Sequence, residues 1–185
     1  NESQFQAGDY TLTKAMTMDE LIQSLKTGRV YREPLFAMTI PEGLTLEQIA
    51  QVVAKNTSYT ADEFMEVVTS DAFVSKMMAK YPTLITNEVL NEQIRYDLEG
   101  YLYPATYPFY EESPSLETII ESMIEQLNKL VLDYSAAIEE RNMTVHQFLT
   151  FASLLEEEAT AQTDRETIAS VFYNRIEKNI SLGSD

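Results

Sequence analysis

The 185-residue sequence contains no cysteine and a single histidine, His146. The missing cysteines exclude disulfide bonds, thiolate nucleophiles and cysteine-based metal sites, and one histidine excludes any site that needs two imidazoles. No apolar run approaches the length of about 18 residues that a membrane-spanning helix requires. The chain shows no signal peptide and begins at Asn1 rather than at a methionine, so we expect it to be part of a longer protein.

Basic residues are also scarce. Thirteen Lys and Arg stand against 30 Asp and Glu, which gives a formal net charge of -17. A field of that sign repels polyanions, so the composition argues against nucleic-acid binding and against docking onto an anionic lipid surface. The remaining composition, with 44% hydrophobic and 10% aromatic residues, is typical of a folded globular protein.

Two similar stretches in the first 56 residues, DYTLTKAMTMDELIQSLKTG and FAMTIPEGLTLEQIAQVVAKN, each combine a short β-prone run, a turn and an amphipathic helix. Each helix opens with a capping box. The boxes are Thr17 with Glu20 and Thr45 with Gln48. They predict helices over 18–27 and 46–55, and the whole pattern predicts a small α+β module. PEGLTLEQIA is similar to the start of LysM-like peptidoglycan-binding repeats; the alternative is an ordinary turn into a helix.

Three further capping boxes follow along the chain. They are Thr60 with Glu63, Thr144 with Gln147, and Thr163 with Glu166. The first predicts a helix to about residue 69, followed by a short helix over 71–80, and the second predicts a helix from Val145. Between them, apolar residues recur every three or four positions from Pro114 to Arg141 and predict one long amphipathic helix.

The tyrosine-rich segment DLEGYLYPATYPFY, residues 97–110, is interrupted by Gly100, Pro104 and Pro108, which predicts a rigid loop. Two alternatives remain open for it. Its aromatic rings could stack on the C–H face of a sugar while their hydroxyls form hydrogen bonds. The segment could equally be a packed loop that anchors one domain on another.

The stretch FASLLEEEAT, residues 151–160, places three glutamates next to an apolar run. We centred the buried face of this helix on its apolar stripe. That stripe comprises Val145, Phe148, Ala152, Leu155 and Ala159. Glu156 then lies about 60° from its centre, Glu158 about 100° and Glu157 about 160°. Partial burial favours a carboxyl group that holds its proton, as a general acid must, so Glu156 is the candidate proton donor. The alternative is a helix-end glutamate without a catalytic role.

ASLLEEEATAQTDRETIASVFYNRIEKNISLGSD, residues 152–185, resembles the signature of the endolytic murein transglycosylases, the YceG-like or MltG family. EGYLYPATY is similar to that family's E-G-x-x-x-P-x-T-Y element, and QAGDYTL with MTMDELIQSLKTG resembles its N-terminal LysM-like region. The resemblance follows the family's order over nearly the whole chain. We therefore expect an α+β fold with a small LysM-like module over 1–56, a helical connector over 57–96, and a mostly helical part of the catalytic domain over 97–185.

The resemblance implies a lytic transglycosylase that cleaves the MurNAc-β-1,4-GlcNAc bond of nascent glycan strands and leaves 1,6-anhydroMurNAc ends. Its catalytic residue corresponds to Glu156, which serves as acid and then as base, because the substrate's own 6-hydroxyl replaces the water or second carboxylate of other glycosidases. The candidate substrate-binding residues are Glu99, Tyr103, Tyr107, Glu158, Asn174 and Arg175. No metal or organic cofactor is implied.

The family's location implies the outer face of the bacterial cytoplasmic membrane, with an anchoring helix upstream of this soluble chain and peptidoglycan synthesis enzymes as partners. Three departures stand out: Glu157 replaces a frequent lysine, Ala159 replaces a frequent threonine, and the family's catalytic domain continues past Asp185, so we expect part of the cleft to be missing. The alternative function is a non-catalytic peptidoglycan-binding or scaffold module. A pyridoxal-dependent lyase is disfavoured, because no phosphate-binding glycine loop is present and no lysine is singled out.

Overall fold

The structure is a computed structural model that describes residues 16–27, 34–158 and 170. Its helices are α1 (Met18–Thr27), α2 (Leu46–Asn56), α3 (Ala61–Val68), α4 (Asp71–Lys80), α5 (Leu116–Asp133), α6 (Ser135–Glu140) and α7 (Val145–Glu158), with a 3-10 turn at Asn87–Leu90. Two short strands, β1 (Phe36–Thr39) and β2 (Thr106–Phe109), form one sheet. The predicted α+β class is confirmed. Within the described residues, none of the helices has the length and apolar character needed to cross a membrane.

The chain divides into two compact units. One comprises Asn1–Ala37 with Pro108–Glu112, and the other comprises Met38–Tyr107 with Ser113–Asp185. The division passes through both strands, so its boundaries differ from those expected after residues 56 and 96. The assignment of 1–56, 57–96 and 97–185 to separate functions stays a prediction.

Capping boxes mark the start of three helices, as predicted. At α2, Gln48 N–H donates to Thr45 Oγ1 while Thr45 N–H donates to Gln48 Oε1 at 2.8 Å. The pairs Thr60–Glu63 at α3 and Thr144–Gln147 at α7 make the same two bonds. Each box satisfies backbone N–H groups that a helix start leaves free. The Glu20 side chain and the Thr163–Glu166 segment lie outside the described residues.

The long helix predicted from Pro114 to Arg141 is two helices. Helix α5 ends at Asp133, α6 begins at Ser135, and Tyr134 between them has φ -100° and ψ 4°. The apolar spacing continues across the break, because Ile138 in α6 is buried. Periodicity therefore predicted most of the buried side chains correctly, but it was wrong on the continuity of the helix and on Tyr134, which is 53% exposed.

Helix α3 lies at the centre of the second unit, where it packs against α2, α4 and α5. Its Phe64 is fully buried. Two ion pairs, Lys76–Glu117 and Lys80–Glu121, link the outer faces of α4 and α5. Ion pairs at the protein surface add little to stability, so burial of apolar side chains provides most of the stability of this unit.

Candidate functional site

Glu156 lies near the end of α7, and its side chain is exposed. The partial burial expected from the periodicity is not found, because the core position on α7 is taken by Phe151, which is 5% exposed, while Ala152 is exposed. A phenylalanine buries far more apolar area than an alanine, so it sets which side of the helix faces inward. Glu156 is about 140° around the helix from Phe151. Its carboxylate is therefore open to a large external substrate, and its catalytic role stays a prediction.

Glu99 contacts the N-terminus of α2. Its two carboxylate oxygens accept the N–H of Leu46 at 3.0 and 3.3 Å, where the helix dipole favours negative charge. The residue as a whole is exposed, but its carboxylate is partly desolvated against α2. This burial raises the pKa of Glu99, the bond from Leu46 opposes the rise, and the charge of Glu47 adds to it. Glu99 therefore has a structural partner in addition to the substrate-binding role predicted for it.

Replacing Glu99 by glutamine is expected to change the pH dependence of stability. The pKa of Glu99 in the folded protein lies above its ordinary value of 4.5. The folded state therefore loses stability relative to the unfolded state as the pH rises from the ordinary pKa through the raised one. Glutamine still accepts the Leu46 N–H but does not ionise. Thermal unfolding is measured at pH 4 and at pH 7. The melting temperature of the variant relative to that of the parent should be higher at pH 7 than at pH 4. A gain by the parent would mean that the bond from Leu46 outweighs burial.

Gly100 shapes the turn between Glu99 and Tyr101. Its φ is +80°, in the left-handed region that disfavours side chains with a Cβ. On either side, Glu99 N–H donates to the carbonyl of Tyr96 and Tyr101 N–H donates to that of Leu98. The turn directs the Glu99 carboxylate to α2 and places the Tyr101 ring in the core.

The Gly100→Ala variant should lose about 1–2 kcal/mol of unfolding free energy, the ordinary cost of a left-handed alanine. An added Cβ would meet no atom within 4 Å, so the cost comes from the backbone alone. Gly100→Asn is the matched control, because asparagine tolerates this conformation better. Urea unfolding measures both variants, and equal losses would contradict a backbone origin.

The two tyrosines predicted to bind substrate in the tyrosine-rich segment, Tyr103 and Tyr107, differ in exposure. Tyr107 is buried, and its hydroxyl donates to the carbonyl of Tyr103 at 2.5 Å. Tyr103 is half-buried, and its N–H donates to the carbonyl of Met123 in α5 at 3.4 Å. Tyr107 therefore fits a packed loop rather than a sugar-stacking surface, because neither its ring nor its hydroxyl is open. The exposed part of Tyr103 leaves sugar contact possible there.

A contact that the sequence did not reveal joins this segment to α7. The hydroxyl of Tyr101 lies 2.9 Å from Nδ1 of His146, and the two rings stack with centroids 6.1 Å apart. The residues are 45 positions apart, so no local spacing could have paired them. The EGY turn, residues 99–101, and α7 are thus in direct contact.

A cleft of about 500 Å³ lies between α2 and α3, with Tyr96 on one wall. Glu47 at its rim accepts bonds from Arg95 at 2.8 Å and from the Tyr96 hydroxyl at 2.7 Å. Among the described candidates, Glu99, Tyr103, Tyr107 and Glu156 do not line this cleft. The candidate site is therefore assigned to α7 and the EGY turn, which carry the candidate carboxylates Glu156 and Glu99. Glu158 is the last residue of α7, but its side chain lies outside the described part of the structure, as do Asn174 and Arg175.

The sequence matches the YceG-like family over residues 1–185. The chain belongs to the YceG-like family. The family resemblance inferred from the sequence motifs is thereby confirmed. Among solved structures, a YceG-like protein from Listeria monocytogenes matches with a TM-score of 0.75 and 38% sequence identity, over 98% of this chain and 59% of that one.

Two curated relatives of this YceG-like chain carry the name endolytic murein transglycosylase. The protein from Bacillus subtilis (strain 168) is 43% identical over 183 residues, which cover 99% of this chain and 50% of the relative. The protein from Streptococcus pneumoniae serotype 2 (strain D39 / NCTC 7466) is 41% identical over 194 aligned positions, which cover 100% of this chain and 35% of the relative. The chain thus spans half or less of these relatives' lengths.

Proposed function

We propose that this chain is part of an endolytic peptidoglycan lytic transglycosylase that cleaves the MurNAc-β-1,4-GlcNAc bond of nascent glycan strands. The observation that carries the proposal is its 43% identity, over 99% of its length, to a protein named endolytic murein transglycosylase. Glu156 is exposed, so a glycan polymer can reach its carboxylate, and its assignment as the proton donor rests on the family motif rather than on burial.

In the proposed reaction Glu156 acts twice. As an acid it protonates the glycosidic oxygen while the bond to C1 of MurNAc breaks. As a carboxylate it then takes the proton of the MurNAc 6-hydroxyl, whose oxygen bonds to C1 and closes the 1,6-anhydro ring. Glu156 returns to its starting protonation state, and no water is consumed. One carboxylate suffices, because the substrate supplies its own nucleophile.

The rest of the chain has supporting roles in this proposal. Residues 1–56 form a LysM-like glycan-binding module, 57–96 connect it, and 97–185 belong to the catalytic domain. Glu99 and Tyr103 bind the glycan from the EGY turn, and Glu158, Asn174 and Arg175 are further substrate-binding residues in this proposal. The protein works at the outer face of the cytoplasmic membrane, held by an upstream helix and beside peptidoglycan synthesis enzymes.

The test is product analysis of uncrosslinked glycan strands by mass spectrometry. The strands are incubated with this chain and with a version extended past Asp185 to the length of its relatives. Anhydro ends, lighter by one water than hydrolysed ends, are expected from the extended protein. Reducing ends instead would identify a hydrolase. Glycan binding without new ends from either protein would favour the non-catalytic module.

A further inference from the structure

Tyr101 is a buried tyrosine whose hydroxyl has a defined partner. The residue is 1% exposed and is the largest fully buried side chain in the described part of the chain. Burial raises the pKa of its hydroxyl above the ordinary value, so the hydroxyl keeps its proton, and its oxygen lies within hydrogen-bond distance of His146 Nδ1 at 2.9 Å. A phenylalanine would fill nearly the same volume, so the hydroxyl contributes a directional hydrogen bond rather than packing volume.

His146 is the second residue of α7. Glu156 follows ten residues later, roughly 15 Å along the axis and about 80° around it. Between them Phe151 holds α7 to the core by burial. Apolar contact tolerates small rotations, whereas a hydrogen bond depends steeply on direction. A directional contact at His146 therefore restricts rotation of α7 about its own axis more than apolar burial at Phe151 does.

We propose that the Tyr101–His146 hydrogen bond is a positioning contact that fixes the rotation of α7 and thereby the place of the Glu156 carboxylate relative to the EGY turn. The inference rests on the proposed function, since it assigns the bond to the reaction of Glu156. Tyr101 and His146 act through Glu156 and touch no reacting atom. A displacement of about 1 Å can cost about a hundredfold in rate, so a smaller displacement on loss of this bond should lower kcat about tenfold.

The experiment compares kcat and KM for anhydro-end formation in the active, extended protein. Tyr101→Phe and His146→Leu remove the bond, whereas His146→Asn keeps an acceptor near the position of Nδ1. Tyr81→Phe is the matched control, because Tyr81 is a buried tyrosine whose hydroxyl lies 3.5 Å from Glu121. We expect kcat about tenfold lower with KM within about twofold for the first two variants, and near-parent kcat for the other two. Parent kcat in Tyr101→Phe, or equal losses in both His146 variants, would overturn the proposal.

A second readout separates this inference from the proposed function. Amide chemical shifts along α7 are compared between the parent and Tyr101→Phe by NMR, without any substrate. Shifts that extend from His146 to Glu156 support the positioning contact, and shifts confined to the first turn of α7 overturn it. If the shift changes extend to Glu156 while the Glu156→Gln variant stays fully active, Glu156 is not the catalytic residue. The structural coupling between Tyr101 and α7 is then still supported.

Discussion

Glu156→Gln is expected to lower the rate of anhydro-end formation by about 10²- to 10⁴-fold, the usual contribution of a general acid and base. Glutamine matches glutamate in size but cannot exchange the proton that the proposed mechanism moves twice. Because the side chain is exposed, the unfolding free energy should change by no more than about 0.5 kcal/mol. Mass spectrometry of the ends and a glycan-binding assay on the same samples measure rate and affinity together.

Glu140→Gln in α6 is the matched control for this variant. It removes one exposed carboxylate on a neighbouring helix in the sequence and should leave the cleavage rate unchanged. Loss of cleavage with retained binding in Glu156→Gln alone would support the single-carboxylate mechanism. Parent activity in Glu156→Gln would move the proton transfer to another residue and remove the basis for placing the site on α7.

Phe64→Ala is expected to cost about 3–5 kcal/mol of unfolding free energy. Phe64 is 0% exposed in α3, which packs against α2, α4 and α5, so truncation leaves a cavity that several helices would have to close. A loss of this size is a large part of the 5–15 kcal/mol that ordinary domains have. The midpoint of urea unfolding measures the change.

Leu90→Ala is the control for Phe64→Ala. Leu90 is 53% exposed, so its truncation should change stability by less than about 0.5 kcal/mol. A loss below about 1 kcal/mol for Phe64→Ala would mean that the helices around α3 close the cavity easily. That outcome would contradict tight packing at the centre of this unit.

Helix starts were the most predictable part of this fold. The boxes at Thr45, Thr60 and Thr144 each use two side chains three residues apart, so the sequence contains the whole interaction. The strand before Pro41 and the helix over 71–80 were also predicted, because their patterns are local. These elements needed no knowledge of the tertiary structure.

The features that the sequence did not reveal depend on distant partners or on competition within a helix. The break at Tyr134 interrupts no apolar spacing, so periodicity could not detect it. Glu156 is exposed because Phe151 occupies the buried position on α7. Which side of α7 is buried depends on the elements that it packs against. The bond between Tyr101 and His146 spans 45 positions, and its formation requires the rest of the unit to be folded.

The pairing of β1 with β2 has a consequence for synthesis on the ribosome. Thr39 and Thr106, whose hydroxyls meet at 2.9 Å across the sheet, are 67 residues apart. At about 5–20 residues per second, β1 is made roughly 3 to 13 s before its partner strand. The helices between them can form within microseconds, so β1 stays unpaired after the helices between the two strands have formed and until β2 is made. Until then its free N–H and C=O groups are open to pairing with other chains, and a chaperone that covers this edge would protect the fold during that interval.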